Sequence, residues 1–115
     1  PVNTYLKQAA KIAAARRTKG HGSYFFGAIA TRPDGLIVSS FNVTVKDAQT
    51  LDGHAEARLA SKVQAGSCVY VARVTKAGVW AMAKPCQACE TRLRNMRVKQ
   101  VQYTIGVGEY GMLRF

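Results

Sequence analysis

Apolar positions along the chain change period several times, and each change predicts an element. From Asn3 to Thr18, Tyr5, Leu6, Ala9, Ile12 and Ala13 recur at helical spacing and Gly20 and Gly22 follow, which predicts a first helix. Tyr24 to Thr31 and Leu36 to Phe41 are β-rich runs separated by Arg32-Pro33-Asp34-Gly35, an order suited to a tight reversal, so they read as a hairpin. Residues 42–53 are polar and irregular. Ala55, Leu59 and Val63 then repeat every four residues up to Gly66, predicting a second helix that starts near His54. Cys68 to Thr75 is a further strand, broken by Ala77-Gly78 before Val79 to Met82 leads into Lys84-Pro85. A proline there suits the first turn of a third helix, on which Cys89, Leu93 and Met96 share a stripe. Val101 to Ile105 follows as a strand, Val107 to Gly111 as a turn, and Met112 to Phe115 as a short antiparallel return. The order α-β-β-α-β-α-β, with a final short β, predicts an α/β sheet covered by helices.

With 115 residues and an apolar fraction of 48%, this pattern forms one domain over residues 1–115. The charge changes the picture more. Seventeen Lys and Arg against six Asp and Glu leave a net +11 and a pI near 10.1, a field that attracts polyanions, nucleic acid before anionic membrane. No apolar run approaches the roughly 20 residues that span a bilayer, and the start lacks the apolar stretch of a secretory signal. A soluble, cytoplasmic protein with no membrane partner is expected. No acidic residue precedes Asp34, as in an organelle transit peptide, but that segment also supplies a core-packing face and is read as helix. Three cysteines make no even disulfide framework, and Cys86-Gln87-Ala88-Cys89 reads as metal or redox chemistry.

Three metal-ligand types occur as His54-Ala55-Glu56 and, some thirty residues later, Pro85-Cys86-Gln87-Ala88-Cys89. Three protein ligands leave one zinc position open for water, as at a catalytic site, whereas a structural zinc is closed by four. Cys86 and Cys89 are three apart and share a face at a helix start, where unpaired N–H groups favour thiolates. On a regular helix His54 and Glu56 would diverge by about 200°, so both face one site only if His54 lies in the non-helical first turn, which Gly53 permits. Glu56 is then the candidate acid/base, in the H-x-E and P-C-x-x-C signature of zinc deaminases.

These motifs resemble the cytidine deaminase-like superfamily, and the resemblance spans most of the chain, including Tyr24-Phe25-Phe26-Gly27-Ala28, Asp34-Gly35 and Asn42 before the His54 motif. It implies a three-layer α-β-α sheet of about five strands with flanking helices and a short C-terminal hairpin, a Zn2+ cofactor held by His54, Cys86 and Cys89, and Glu56 as proton shuttle. It further implies that Asn42 contacts a sugar, the Ala55 N–H holds a pyrimidine carbonyl, and the Lys84 carbonyl accepts from the exocyclic amine. Free-nucleoside members carry cysteine where this chain has His54, and glutamate where it has Thr44, and both differences point away from free cytidine. His54 is similar to the deoxycytidylate, tRNA-adenosine and APOBEC-type branches, and the short C-terminal hairpin to compact toxin and phage deaminases.

Charge then bears on the substrate. Arg92, Arg94, Arg97 and Lys99 lie on and after the cysteine helix, and Lys7, Lys11, Arg16, Arg17 and Lys19 form a second group, with His21 in a loop beside it. Phosphates flanking an extruded base would need such cations. Phe26 is a candidate to stack on the base, and Trp80 either stacks on a neighbouring base or packs under the third helix. The expected activity is deamination of cytosine to uracil in single-stranded DNA, with RNA open, by a monomer or small homo-oligomer. Free cytidine or deoxycytidylate deamination, tRNA adenosine deamination, and a non-enzymatic zinc-stabilised nucleic-acid-binding module are the alternatives. The last needs a fourth ligand, from His21 or Cys68.

Overall fold

Asn3 starts the first helix. Its Oδ1 accepts the Tyr5 N–H at 2.7 Å, which satisfies one orphan donor of α1 (Thr4–Ala15), and its carbonyl accepts the Lys7 N–H at 3.1 Å as the first intrahelical bond. The computed structural model describes residues 2–15, 25–41, 59 and 62–115. Expected elements that extend beyond these, the end of the first helix, Tyr24, the 42–53 loop and the start of the second helix, lie outside the described residues.

The sheet is built from β1 (Phe25–Thr31), β2 (Ile37–Phe41), β3 (Cys68–Val74), β4 (Trp80–Ala81), β5 (Gln100–Gly106) and β6 (Glu109–Arg114), and α2 (Gln87–Asn95) lies between β4 and β5 in sequence. Strand order is β2-β1-β3-β5-β6, with β4 paired to the end of β3. The β3–β5 pair is parallel and the others are antiparallel. This is the expected five-strand sheet with one two-residue strand added.

Alternation along the strands assigns the two faces. Ile29, Tyr70 and Ala72 pack with Leu6, Ala9 and Ala10 of α1. Ala28, Ala30, Val69, Val71 and Val101 pack on the opposite face with Leu59, Val63, Leu93 and Val98. Buried on both faces, β1 is an almost unbroken apolar run, which is why it reads as continuous and not alternating. Among the described residues no helix is long and apolar enough to cross a membrane.

The alanines of α1 let its backbone approach β1 closely. A Cβ built on Gly27 would lie 2.2 Å from the Ala9 carbonyl oxygen and 2.8 Å from the Ala13 nitrogen. Both are helix backbone and cannot yield separately. Gly27→Ala is therefore expected to destabilise the fold by about 3 kcal/mol through overpacking, read as a lower urea midpoint with an unchanged slope.

Three details differ from the sequence reading. Pro85 precedes the helix cap instead of lying in the first turn, and Cys86 is the N-cap residue. Met96 is exposed, and Val98 completes the buried stripe of Cys89 and Leu93. The cause is the end of α2, where Val98 N–H donates to the Leu93 carbonyl at 3.2 Å and Arg97 N–H to the Arg94 carbonyl at 3.0 Å, a Schellman pair that folds Val98 back onto Leu93. Arg97 takes the left-handed position of that motif, with φ +59°, where glycine is usual. The third difference is β6, which starts at Glu109, because Val107-Gly108 alone makes the turn, with Gly108 at φ +71°. Gly111 sits inside the strand opposite Tyr103, whose ring lies where a Cβ would be, at 2.5 Å.

Candidate metal and substrate site

The cysteine motif lies at the end of the sheet where two parallel strands part. Over residues 68–71 and 100–103, β3 and β5 are hydrogen-bonded neighbours, but beyond Val71 the chain of β4 intervenes. Thr104 bridges that gap. Its buried hydroxyl donates to the Ala81 carbonyl at 2.7 Å and accepts the Arg73 N–H at 3.1 Å, while its own carbonyl accepts the Ala83 N–H at 2.9 Å. The segment entering Cys86 is thus fastened to β5 by side chain and backbone together. A crevice beyond the carboxyl ends of parting strands is where open α/β sheets bind ligands.

The preceding turn is equally well tied. Thr75 exchanges backbone bonds with Val79 and Gly78, each at 2.8 Å, its Oγ1 accepts the Val79 N–H at 3.2 Å, and Gly78 has φ +85°. Thr104→Val, which keeps the shape and removes the hydroxyl, is expected to lower stability by about 1–3 kcal/mol, the desolvation cost of the polar groups left behind. Thr104→Ser should recover most of it, with both variants read by chemical denaturation.

Cys86 is exposed, with φ −64° and ψ 161°, and its side chain does not cap the helix, while its carbonyl accepts the Glu90 N–H at 2.8 Å. Cys89 lies three residues on in the first turn of α2 and is 1% exposed. Neither is in a disulfide. The pair therefore joins a solvent-facing thiol to one backed by the core. Among the described residues no group of three metal-binding side chains comes together. His54 and Glu56, half of the expected motif, lie outside them, as do Asn42, Ala55, Arg16, Arg17, Lys19 and His21.

The structure separates the other candidates. Lys84 is exposed in the fastened segment beside Cys86. Phe26 lies on the α2 face, half-buried, with the Arg73 guanidinium 5.9 Å from its ring centre. Trp80 packs against α1, Phe25 and Val74 on the other face, so of its two expected places the one under the cysteine helix is corrected: its register partner Val74 points towards α1. Lys7 and Lys11 are exposed on α1, across the sheet from the cysteines. Cys68 begins β3 and packs on the α1 face of the sheet, opposite the face that carries α2 and its cysteines. It is therefore out of reach as a fourth ligand. Arg94 pairs with Glu90 at 3.1 Å and stacks over Phe115 at 5.2 Å, while Arg97 lies at the opposite end of α2 from Cys86.

Thr104 and Arg73 were missed by sequence reasoning, since a threonine and an arginine in β-rich runs carry no signal of what lies beside them.

No protein-family profile matches the chain, and no curated protein matches its sequence. Solved structures do match. A cytidine deaminase from Burkholderia pseudomallei superposes with a TM-score of 0.62 at 19% identity over 94% of this chain and 91% of that one. Cytidine deaminases from Mycobacterium leprae (TM-score 0.59, 18% identity, 96% and 94% coverage) and Mycobacterium tuberculosis (0.58, 23%, 92% and 89%) are similarly related. The chain has the cytidine deaminase-like fold.

Proposed function

We propose that this cytidine deaminase-like fold carries a zinc-dependent hydrolase that converts cytosine to uracil in single-stranded DNA. His54, Cys86 and Cys89 would hold the metal. The reduced cysteine pair at the start of α2, one thiol exposed and one core-backed, fits a thiolate-rich zinc site with one approach left open. Zinc, when bound, supplies a Lewis acid that brings the pKa of water towards about 7. Glu56 moves the protons: one to the ring nitrogen as oxygen is added at C4, and one to the exocyclic amine as the C4–N bond breaks. Water is consumed and ammonia leaves. Lys84 is exposed two residues before Cys86, and Phe26 lies on the same sheet face as the cysteine helix.

The cation excess carries the polymer reading. A free nucleotide needs a single phosphate site, whereas this chain has a net +11. A second reading, deamination of free cytidine, is favoured by the solved structures named above, which bear that name and match over 89–94% of their own length.

One experiment separates them. The purified, zinc-loaded chain is incubated with a cytosine-containing single-stranded oligonucleotide, with the RNA equivalent, and with cytidine and deoxycytidylate. Cytosine-to-uracil conversion in the DNA strand, read by sequencing, is the expected result. Conversion of the free nucleoside or nucleotide alone would falsify the polymer reading.

A further inference from the structure

The end of the sheet away from the cysteines is unused by this chemistry, yet four segments converge there. Gly66 lies against Pro33, since an added Cβ would be 3.2 Å from its Cγ, and its N–H donates to the Arg97 carbonyl at 2.8 Å. Lys99 N–H donates to the Ser67 carbonyl at 2.8 Å, Phe115 N–H donates to the Lys99 carbonyl at 3.2 Å, and Arg114 stands opposite Gln100. Arg32 Nη1 donates to the Lys62 carbonyl at 3.3 Å. Lys62, Arg97, Lys99 and Arg114, all exposed, are thereby gathered on one end of the molecule.

Among the described residues, the carboxylates on these segments and on α2 are already engaged. Asp34 pairs with Arg32 at 2.7 Å and accepts the Leu36 N–H at 3.1 Å, and that backbone bond, with Arg32, holds its carboxyl below the usual range. Glu90 pairs with Arg94. Lys62 Nζ donates to the Ser39 carbonyl at 2.9 Å and Arg114 Nε to the Met112 sulfur at 3.3 Å, neither of which neutralises charge. Among the described residues none of the four cations has a carboxylate side chain as partner.

Arg97 adds an independent observation. It holds a left-handed conformation, φ +59°, that glycine would adopt without strain. The chain keeps a long cation there against its backbone preference, and outliers of this kind gather at binding sites.

We infer that this basic end is a docking surface for the sugar-phosphate backbone of a single-stranded nucleic acid, on the stretch flanking the base being deaminated. This rests on the reading that the substrate is a polymer. Four cations spread over three separate segments suit successive phosphates better than one phosphate, which takes converging donors. Arg97 is eleven positions from Cys86 along α2 and its cap, about 16 Å by helix rise and so about five nucleotides at a rise of about 3.4 Å. A strand that fills the cysteine end alone does not reach it.

The test uses the full zinc-loaded chain and fluorescence anisotropy with labelled single strands of about fifteen and about four nucleotides across a salt series. Replacing Lys62, Lys99 and Arg114 together by Gln should weaken binding of the longer strand and make its log–log salt slope shallower by about 2, at about 0.7 per lost phosphate contact. The shorter strand should bind as before. Arg97→Gly should raise the melting temperature while weakening the longer strand, a combination that a purely structural role does not produce. An unchanged slope for the longer strand, or equal losses for both lengths, overturns the inference. So does substitution-sensitive binding to phosphatidylglycerol vesicles without an effect on strands. If the unsubstituted chain binds neither strand, the polymer reading itself fails. If it binds and deaminates the long strand while the variants match it, the docking surface alone fails.

Discussion

Glu56→Ala is expected to reduce cytosine deamination by at least about 10²–10⁴-fold, the usual contribution of a positioned acid/base, while leaving one zinc bound per chain. The reaction moves protons in two directions at one face of the ring. Water must lose them, and the ring nitrogen and the departing amine must gain them. A carboxylate two positions after His54 can serve both transfers without a second group, and the sequence offers no other acidic residue between Asp52 and Glu90. Glu56 is not among the expected metal ligands, so its loss should separate chemistry from metal content. Conversion measured by sequencing, alongside zinc measured by elemental analysis, makes that separation visible. Activity within tenfold of the unsubstituted chain would remove Glu56 from the mechanism, and loss of zinc with activity would make it a ligand.

Cys86→Ala and Cys89→Ala should each lower zinc affinity by more than about a hundredfold, beyond the 10–100-fold typical of losing only an outer-shell partner. Their effects on the metal-free protein should differ. Cys89 is 1% exposed and shares the buried stripe of Leu93 and Val98, so its truncation also removes packing, worth about 1 kcal/mol. Cys86 is exposed, and its truncation should stay within about 0.5 kcal/mol. Melting curves with and without a chelator read both quantities from one set of samples. The zinc-dependent part of the melting temperature should vanish in both variants, and the chelated baseline should fall only for Cys89→Ala. Retention of zinc by Cys86→Ala would mean that another residue completes the site, and Cys68, on the α1 face of the sheet, is on the wrong side to be it.

Much of the architecture was legible in the sequence because its signals are local. Asn3 before an Ala-rich stripe, Pro33-Asp34-Gly35 between two β-rich runs, and Pro85-Cys86 before a stripe of period 3.6 each state their element within a few residues. What stayed hidden depends on groups that are far apart in the chain. Gly111 looks like a turn residue until the Tyr103 ring is seen above it, and the stripe of α2 ends in Val98 instead of Met96 only because Arg97 reverses the backbone. The site divides in the same way. The cysteine pair is a four-residue pattern and was readable, whereas the fastening of its approach by Thr104 joins residues 23 apart. The side of the sheet to which Trp80 turns follows from its register with Val74, which hydropathy does not encode. Charge behaved likewise: the excess was countable, but the meeting of Lys62, Arg97, Lys99 and Arg114 at one end is a product of topology.

The hairpin between β3 and β4 has a consequence for how this chain can diversify. Its tip, Lys76 and Ala77, is exposed at the cysteine end of the sheet, while Gly78, Thr75 and the Thr104 bridge hold both of its legs. Loop tips of this kind accept added residues, and the entropic cost of lengthening them grows only logarithmically. Residues inserted after Ala77 would extend the cysteine end of the sheet with the helix of Cys86 and Cys89 undisturbed. New surface at that end can therefore be acquired at one turn, by insertion, without renegotiating the core.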